Sequence, residues 1–399
     1  MAFIPSFTKA APAAILAALL FVFSMPAFAV SIDVSKIPAL RTYDASKEAF
    51  EAATDLVREE KPYNDENLGY SIRLPKGWTE NVQAPPVALG SGANPLSDTV
   101  LGILGRYIAP PKNFQRSSVT VEAVAVKYEI SMKDWFVNFI VSNGFSLSAM
   151  TEKSPQEIEA LYIQTNVEHT FVVRARVIVS GSRLVIVRHY LPQDNYEDGR
   201  VEQAQIIESF ALLNALNERI EKQAVYGFLD QSFFNYPQSW NLRDRSILTI
   251  ERMGVSLAQN RIIGDPDDRR SETILEGHMR VQAVSRLLNT TLAQEVEKFR
   301  NEIQIPDYKI GGLIETITYK YHPDIRAGKA QAYHLVPDRP RHMKAYELAV
   351  TVMEGQDYYY ITSLITPSRT QDYYLWARNM EAYRIVNESV RRTNAPVLP

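Results

Sequence analysis

The chain is one unit written twice. LGYSIRLPKGW, Leu68 to Trp78, returns in degraded form as LDQSFFNYPQSW, Leu229 to Trp240. A duplicated unit of this size folds into two similar domains rather than one enlarged core. In both copies an apolar-polar alternation, Tyr70, Ile72 and Leu74 in the first and Phe234 and Tyr236 in the second, runs into a proline, two residues and a tryptophan. Alternation with period two predicts a strand. Pro75 and Pro237 fix φ and lack an N–H, so they suit its end. Trp78 and Trp240 are then expected to fold back over the core as large apolar lids.

The order of the downstream segments repeats as well. In the first copy a stretch rich in Pro and Gly, Ala84 to Asp98, precedes strand patterns at Thr99 to Ile108 and Ser118 to Tyr128. Ser131 then reads as an N-cap, with Met132, Trp135, Phe136 and Phe139 at helical spacing behind it. In the second copy Val281 to Asn289 reads as a strand, and Thr291 caps a helix with Leu292, Val296, Phe299 and Ile303 on one face. Ser131 and Thr291, Phe136 and Val296, and Phe139 and Phe299 keep one constant spacing. Each copy continues with a hairpin, FVVRARVIVSGSRLVIVRHYLP and YELAVTVMEGQDYYYITSLITP, with Gly181 and Gly355 at turns expected to need φ > 0. A helix closes each unit, around Phe210 and Tyr383. The spacing drifts slowly along the chain, as loop insertions would make it.

Met1 to Ala29 reads as a secretory signal, with Lys9, an apolar run from Ala10 to Phe23 and a small-residue site at Ala27-Phe28-Ala29. An uncleaved anchor is the alternative, but the run is shorter than the roughly 20 residues a spanning helix needs, and Pro12 interrupts it. The expected divisions are 1–29 signal, 30–65 an extension with one helix, 66–214 first domain, 215–225 linker, 226–392 second domain and 393–399 tail. In the extension, Asp44 or Ser46 caps a helix bearing Ala49, Phe50, Ala53, Leu56 and Val57, expected to dock on the first domain, a partner-binding helix being the sharper alternative. The chain has no Cys, so export brings no disulfide framework and no lipidation at a lipobox. Asn289-Thr290-Thr291 and Asn387-Glu388-Ser389 are read as coincidental glycosylation triplets, and a Gram-negative periplasm is the expected compartment. A net charge of −3 with scattered basic residues offers no field for nucleic acid or anionic lipid, and no membrane insertion is expected after cleavage.

No catalytic signature stands out. The six His are dispersed, none in a metal-binding pair, and no Gly-x-Ser-x-Gly elbow, phosphate loop or dinucleotide fingerprint is present, so no metal and no cofactor are expected. His189 is read as a buried core residue, with a catalytic role as the alternative. DNYEDG, Asp194 to Gly199, and DPDD, Asp265 to Asp268, carry clustered oxygens without EF-hand spacing, and calcium is weighed there against simple helix capping. The remaining oddity is the aromatic density near the C-terminus: Tyr358, Tyr359, Tyr360, Tyr373, Tyr374, Trp376 and Tyr383. Alternate residues of a strand point to opposite faces, so Tyr358 to Tyr360 cannot all enter one core. Tyr358, Tyr359, Tyr360, Tyr373, Tyr374 and Trp376 are therefore the candidate partner or ligand surface, unless a helix covers the outer face.

The element order, with Tyr-x-Ile-x-x-Pro-x-x-Trp near the start and Glu-Ser-Phe at the last helix, resembles the PsbP-like family, over about 150 residues in each half. The resemblance implies an α+β fold of two tandem domains, each an antiparallel sheet packed against helices, and accessory or partner-binding roles without catalytic residues. The functional expectation is an exported, soluble, non-enzymatic periplasmic accessory or scaffold protein with a periplasmic protein as partner. The alternatives are a module binding a small ligand or glycan in the inter-domain cleft or at the Tyr-rich second domain, and an enzyme with a dispersed site.

Overall fold

The structure, a computed structural model, describes residues 37–81, 98–263, 272–302, 307–338 and 344–392. The expected signal, most of the Pro/Gly-rich stretch, the Asp265–Asp268 loop, His342, Ile303 and the tail lie outside them. The first repeat opens with helix α1 (Lys47–Ala53) and strands β1 (Thr54–Glu59), β2 (Tyr70–Pro75), β3 (Thr79–Glu80), β4 (Asp98–Ile108) and β5 (Ser118–Val126). Helix α2 (Met132–Ser142) comes next, then β6 (Ser146–Ser154), β7 (Glu157–Thr165), β8 (Thr170–Ser180), β9 (Arg183–Pro192), α3 (Tyr196–Ser209) and β10 (Ala211–Leu212). The second repeat is β11 (Gln223–Phe228), β12 (Ser232–Pro237), β13 (Asn241–Thr249), β14 (Arg252–Ile263), β15 (Glu272–Ser285), α4 (Leu292–Glu302), β16 (Tyr308–Ile317), β17 (Ile325–Pro337), β18 (Tyr346–Gly355), β19 (Tyr358–Pro367), α5 (Tyr373–Ser389) and β20 (Arg391–Arg392).

The pairing makes the duplication explicit. One seven-stranded antiparallel sheet has the order β3-β4-β5-β9-β8-β7-β6 and the other β13-β14-β15-β19-β18-β17-β16, each the other's topological copy. Two three-stranded sheets, β1-β2-β10 and β11-β12-β20, repeat in the same way. In the first repeat, Val124, Ile158, Tyr162, Val173 and Ile186 pack with α2 on one face of the sheet. Val119, Val121, Val185 and Val187 meet β2 and α3 on the other face through Tyr70, Ile72, Ile206 and Phe210. The fold is thus α+β, a sheet sandwiched between helical layers, twice over.

The repeat starts one strand earlier than the sequence pattern indicates. Ser46 Oγ caps α1 by accepting from the Ala49 amide at 3.2 Å, but the helix stops at Ala53. Leu56 and Val57, expected on the helix, lie in β1, where Val57 pairs with Ile72 and Leu56 faces solvent. The ladder with β2 satisfies the backbone of a segment whose helical spacing had only one apolar face to offer. β11, which begins in the expected linker and runs into the expected second domain, is its counterpart and pairs with β12. Similarly, the strand expected over Val281 to Asn289 ends at Ser285, and Asn289 closes a 3-10 turn in the left-handed region. Thr291 and Gln294 form a reciprocal capping pair at α4, at 3.3 and 2.9 Å.

Two expectations of equivalence fail. Gly181 has φ +59° as expected, whereas no left-handed φ occurs at Gly355. Gly355 is required instead by close approach, since a Cβ there would lie 2.9 Å from both the Tyr358 carbonyl oxygen and the Tyr360 ring. Trp240 is 4% exposed and seals the second core, lying so close over Gly277 that a Cβ there would meet its ring at 2.7 Å. Trp78 is only half-buried, packed edge-on against His189 with ring centroids 5.5 Å apart.

Candidate functional site

Helix α5 is buried on both sides. Ala382, Tyr383 and Val386 face the second sheet, and Tyr383 shares a 2.7 Å hydrogen bond with Thr362 Oγ1. Tyr374, Trp376 and Ala377 point the other way, into the aromatic cluster of Trp135, Phe136 and Phe139 around α2. The chain is therefore stacked sheet, α5, α2, sheet across the seam between its repeats. Helix α3, the counterpart of α5, makes no such stack, because its outer face carries Glu197, Asp198, Glu202 and Glu208 in exposed positions. Charged groups at these positions keep that helix in water.

This seam accounts for much of the aromatic surplus. Tyr374 and Trp376 are buried in it, and the Trp376 indole N–H donates to Glu347 Oε2 at 3.0 Å beneath the Arg369 guanidinium, 4.3 Å from its ring. The half-buried Tyr373 donates its hydroxyl to Asp134 Oδ1 at 2.8 Å. In β19, Tyr358 and Tyr360 turn into the second core. Tyr359 alone takes the opposite face, half-buried with the Arg286 guanidinium 5.3 Å from its ring centroid. Of the six aromatic residues named as a candidate partner or ligand surface, Tyr358, Tyr360, Tyr374 and Trp376 are buried, and Tyr359 and Tyr373 are half-buried. The aromatic face of α5 is a recognition surface, and what it recognises is the first repeat of its own chain.

Beside this stack the seam opens into a polar cavity of about 350 Å3, lined by Tyr128, Ser239, Gln259, Asn260, Arg261, Glu276, Asp372, Leu375 and Arg378. Asp372, Leu375 and Arg378 sit three apart, on one face of α5 and its cap. Arg378 is 7% exposed, its guanidinium carbon 3.5 Å from the Tyr128 ring centroid and 5.7 Å from that of Tyr374. Among the described residues its Nε and Nη2 have no hydrogen-bond partner, and neither does Gln259 Oε1. Of the carboxylates nearby, Glu276 pairs with Arg261 at 2.8 Å, Asp372 accepts from the Leu375 amide at 3.0 Å and Glu129 from the Glu221 amide at 3.2 Å, while Glu221 Oε2 is buried without a partner among the described residues. Burial pushes the Glu129 carboxyl up to about 7, against the Glu221 amide and Arg219, with Glu381 and Glu221 adding to the rise. Burial also raises Asp134, against the hydrogen bonds from Ser131 and Tyr373. A desolvated cation over an aromatic face gains about 2 kcal/mol. That is less than the several kcal/mol by which burial penalises an uncompensated charge.

A second asymmetry lies at the far sheet edges. The amide of Met150 in edge strand β6 donates to the Pro38 carbonyl at 2.9 Å, and the Leu40 amide donates to Thr151 Oγ1 at 2.9 Å. The chain's own residues 37–40 thus lie along that edge. The matching strand β16 is bulged in two places, as β6 is. It leaves Ile310 36% and Leu313 52% exposed, with Val336 of β17 51% exposed beside them. On the sheet behind, α4 is held by buried Phe299 and by the ion pairs Arg252–Glu295 at 2.7 Å and Arg280–Glu302 at 2.9 Å. Of its expected core face, Leu292 and Val296 are only half-buried.

His189 is buried with neither ring nitrogen partnered among the described residues, and burial lowers it to about 3. The first acidic loop does not gather its oxygens. Asp194 accepts from Gln115 at 3.2 Å, Asn195 from Asn113 at 3.0 Å, and Asp198 pairs with Lys112 at 3.2 Å, while Glu197 and Asp198 begin α3. Among the described residues no three His, Asp or Glu side chains are grouped to hold a metal ion, and no helix is long and apolar enough to cross a membrane. Sequence reasoning does not single out Arg378 or Tyr128, and the only local signal is the position of Arg378 one turn beyond Tyr374.

No family model matches the chain, and no curated protein matches it in sequence. Among solved structures it is similar to cyanobacterial PsbP (CyanoP) from Synechocystis sp. PCC 6803, at 15% identity over 40% of this chain and 93% of that one, with a TM-score of 0.28. It is similar to LpqN, involved in cell envelope biogenesis of Mycobacterium tuberculosis, at 12% identity over 43% and 84%, with a TM-score of 0.22. It is also similar to the immunity protein TplEi of T6SS from Pseudomonas aeruginosa, at 11% identity over 82% and 95%, with a TM-score of 0.20. The first of these carries the name of the family that the sequence resembles.

Proposed function

We propose that the protein is an exported, non-enzymatic accessory protein that works by holding an extended segment of a partner protein in the periplasm. The observation that carries this reading is the pair of unequal sheet edges. β6 is covered by residues 37–40 of the chain itself, whereas β16 presents Ile310 and Leu313, with Val336 alongside, to solvent. A bulged edge that accepts an extended segment in one repeat provides the template for the other. Apolar side chains clustered at an open edge favour association. The seam supplies the rigidity such a clamp needs, because α5 ties both sheets together. Export is supported by the leader-like Met1 to Ala29 pattern.

A photo-cross-linking amino acid at position 313, compared with one at exposed Glu297 on α4, tests the partner in living cells. A discrete adduct from 313 alone, lost in the Ile310→Asp variant at unchanged thermal stability, is the expected result. Equal labelling from both positions overturns the reading. The seam cavity favours a second reading, a module that binds a small polar ligand.

A further inference from the structure

We propose that two hairpin tips at one end of the first sheet form a docking surface for a zwitterionic lipid bilayer, whose interface the Phe114 ring and the Val167 side chain enter. Such a surface is independent of any partner at β16 and of any ligand in the seam.

Both tips lie at the same end of the sheet. The β4–β5 turn follows the pair Ile108–Ser118, and Ser118 also pairs with Tyr190 near the end of β9. The β7–β8 turn follows the pair Thr165–Thr170, next to Phe171, which pairs with Pro192 at the end of β9. The strand order β4-β5-β9-β8-β7 sets the turns three strand spacings apart, roughly 14 Å. A flat surface laid on that end meets both at once.

Phe114 is held outward at a cost in strain. Lys112 and Gln115 close its turn with backbone hydrogen bonds of 2.8 and 3.0 Å, and Asn113 and Phe114 take φ of +53° and +62°. Glycine is the usual second residue of such a turn, and a bulky side chain there is strained. Strain of this kind persists where the surroundings fix it, and it gathers at functional positions. Here the fixing groups are Asn195, Asp194 and Asp198, which accept from Asn113 at 3.0 Å, Gln115 at 3.2 Å and Lys112 at 3.2 Å. The remaining side chain of the turn, Phe114, is fully exposed, preceded by the exposed Pro110 and Pro111. Val167 is fully exposed too, in a turn where Asn166 Oδ1 accepts from the amides of Glu168 at 3.0 Å and His169 at 2.7 Å. The corresponding connections of the second repeat, residues 264–271 and 338–345, read GDPDDRRS and DRPRHMKA, so the fold itself does not call for apolar tips. Charge selects the kind of surface. Lys112 is paired with Asp198, and the exposed Arg116 stands against exposed Glu168 and Asp194. With no cationic surplus, an anionic headgroup is not attracted. The polar turn Gln193–Asn195, which continues β9, separates the tips, so they form no continuous apolar patch for the face of a protein partner. A deformable lipid interface admits each tip separately.

The test is flotation of the full exported chain with vesicles of phosphatidylcholine, and of phosphatidylcholine mixed with phosphatidylglycerol, at low and high salt. Binding to both kinds of vesicle, unchanged by salt, is expected. Phe114→Gly should weaken it by about tenfold, the order contributed by a partly buried aromatic side chain, while raising Tm, because Gly adopts φ > 0 freely. Val167→Ser should weaken binding by a smaller factor, and the double variant should abolish it with the fold intact. The chain has no Cys, so Val167→Cys and Glu297→Cys each take a single environment-sensitive dye. Vesicles should shift the emission of the first to the blue and leave the second unchanged. Absence of binding to either kind of vesicle overturns the proposal, as does unchanged binding in the folded double variant. Binding only to vesicles with phosphatidylglycerol, lost at high salt, overturns the zwitterionic assignment. A discrete protein adduct from a photo-cross-linker at position 114 in cells, without vesicle binding, overturns the lipid in favour of a protein partner.

Discussion

The hydroxyl of Tyr373 donates to Asp134 Oδ1 at 2.8 Å, joining the first turn of the last helix to the first turn of a helix in the other repeat. Asp134 is also the residue whose amide Ser131 caps, at 3.0 Å, so one residue serves the helix start and the seam together. Tyr373→Phe should therefore lower stability by about 1.5 to 3 kcal/mol, the usual net value of a hydrogen bond to a charged group. Asp134→Asn in the Tyr373→Phe background should add less than it does alone. A double-mutant cycle by urea denaturation measures the difference, and strict additivity would remove the coupling.

The two tryptophans of the repeat should not behave alike. Trp240→Ala empties a buried position and should cost about 3 to 5 kcal/mol. Trp78 is half-buried, so Trp78→Ala should cost roughly half of that or less, as transfer area scales with burial. Equal losses in the same denaturation assay would mean that Trp78 closes over its core in solution.

What was legible in the sequence is what local spacing encodes. Ser131 and Thr291 cap their helices as the pattern indicates, and both hairpins and both Pro-terminated strands form where alternation places them. The first strand of each repeat was not legible, because Leu56 and Val57 continue the helical spacing of Phe50 and Ala53, and only pairing with Tyr70 to Pro75 decides for strand. The aromatic excess was visible, but its occupant was not. Periodicity says which residues share a face of α5 and nothing about what lies across it. Arg378 escaped for the same reason: its significance comes from Tyr128, which belongs to the other repeat.

His189 should make the first domain acid-sensitive. Burial lowers its folded-state value from 6.5 to about 3, so the unfolded chain takes up a proton that the folded chain refuses. Its contribution is intact above pH 6.5 and is lost as pH falls toward 3, at about 1.4 kcal/mol per pH unit. Stability measured at pH 7 and pH 5 should change by about 2 kcal/mol less in His189→Leu than in the natural protein. An unchanged pH response would mean that the imidazole finds a partner or solvent when it protonates.

Glu129 predicts the opposite sign at the seam. Its folded-state value rises from 4.5 to about 7, chiefly through burial between the repeats, so the folded chain keeps a proton that the unfolded chain has released. The stabilisation is fully present below pH 4.5 and disappears as pH climbs to about 7. Glu129→Gln keeps the shape without the titration, so the natural protein should lose about 2 kcal/mol relative to it between pH 5 and pH 7.5. Glu221 and Glu381 reinforce the rise and Arg219 opposes it. Arg219→Gln should therefore push the transition to higher pH, while Glu381→Gln should pull it lower. Stability profiles of the three variants between pH 4 and 8 measure these shifts, and a Glu129→Gln profile parallel to that of the natural protein would place the titrating group elsewhere in the seam.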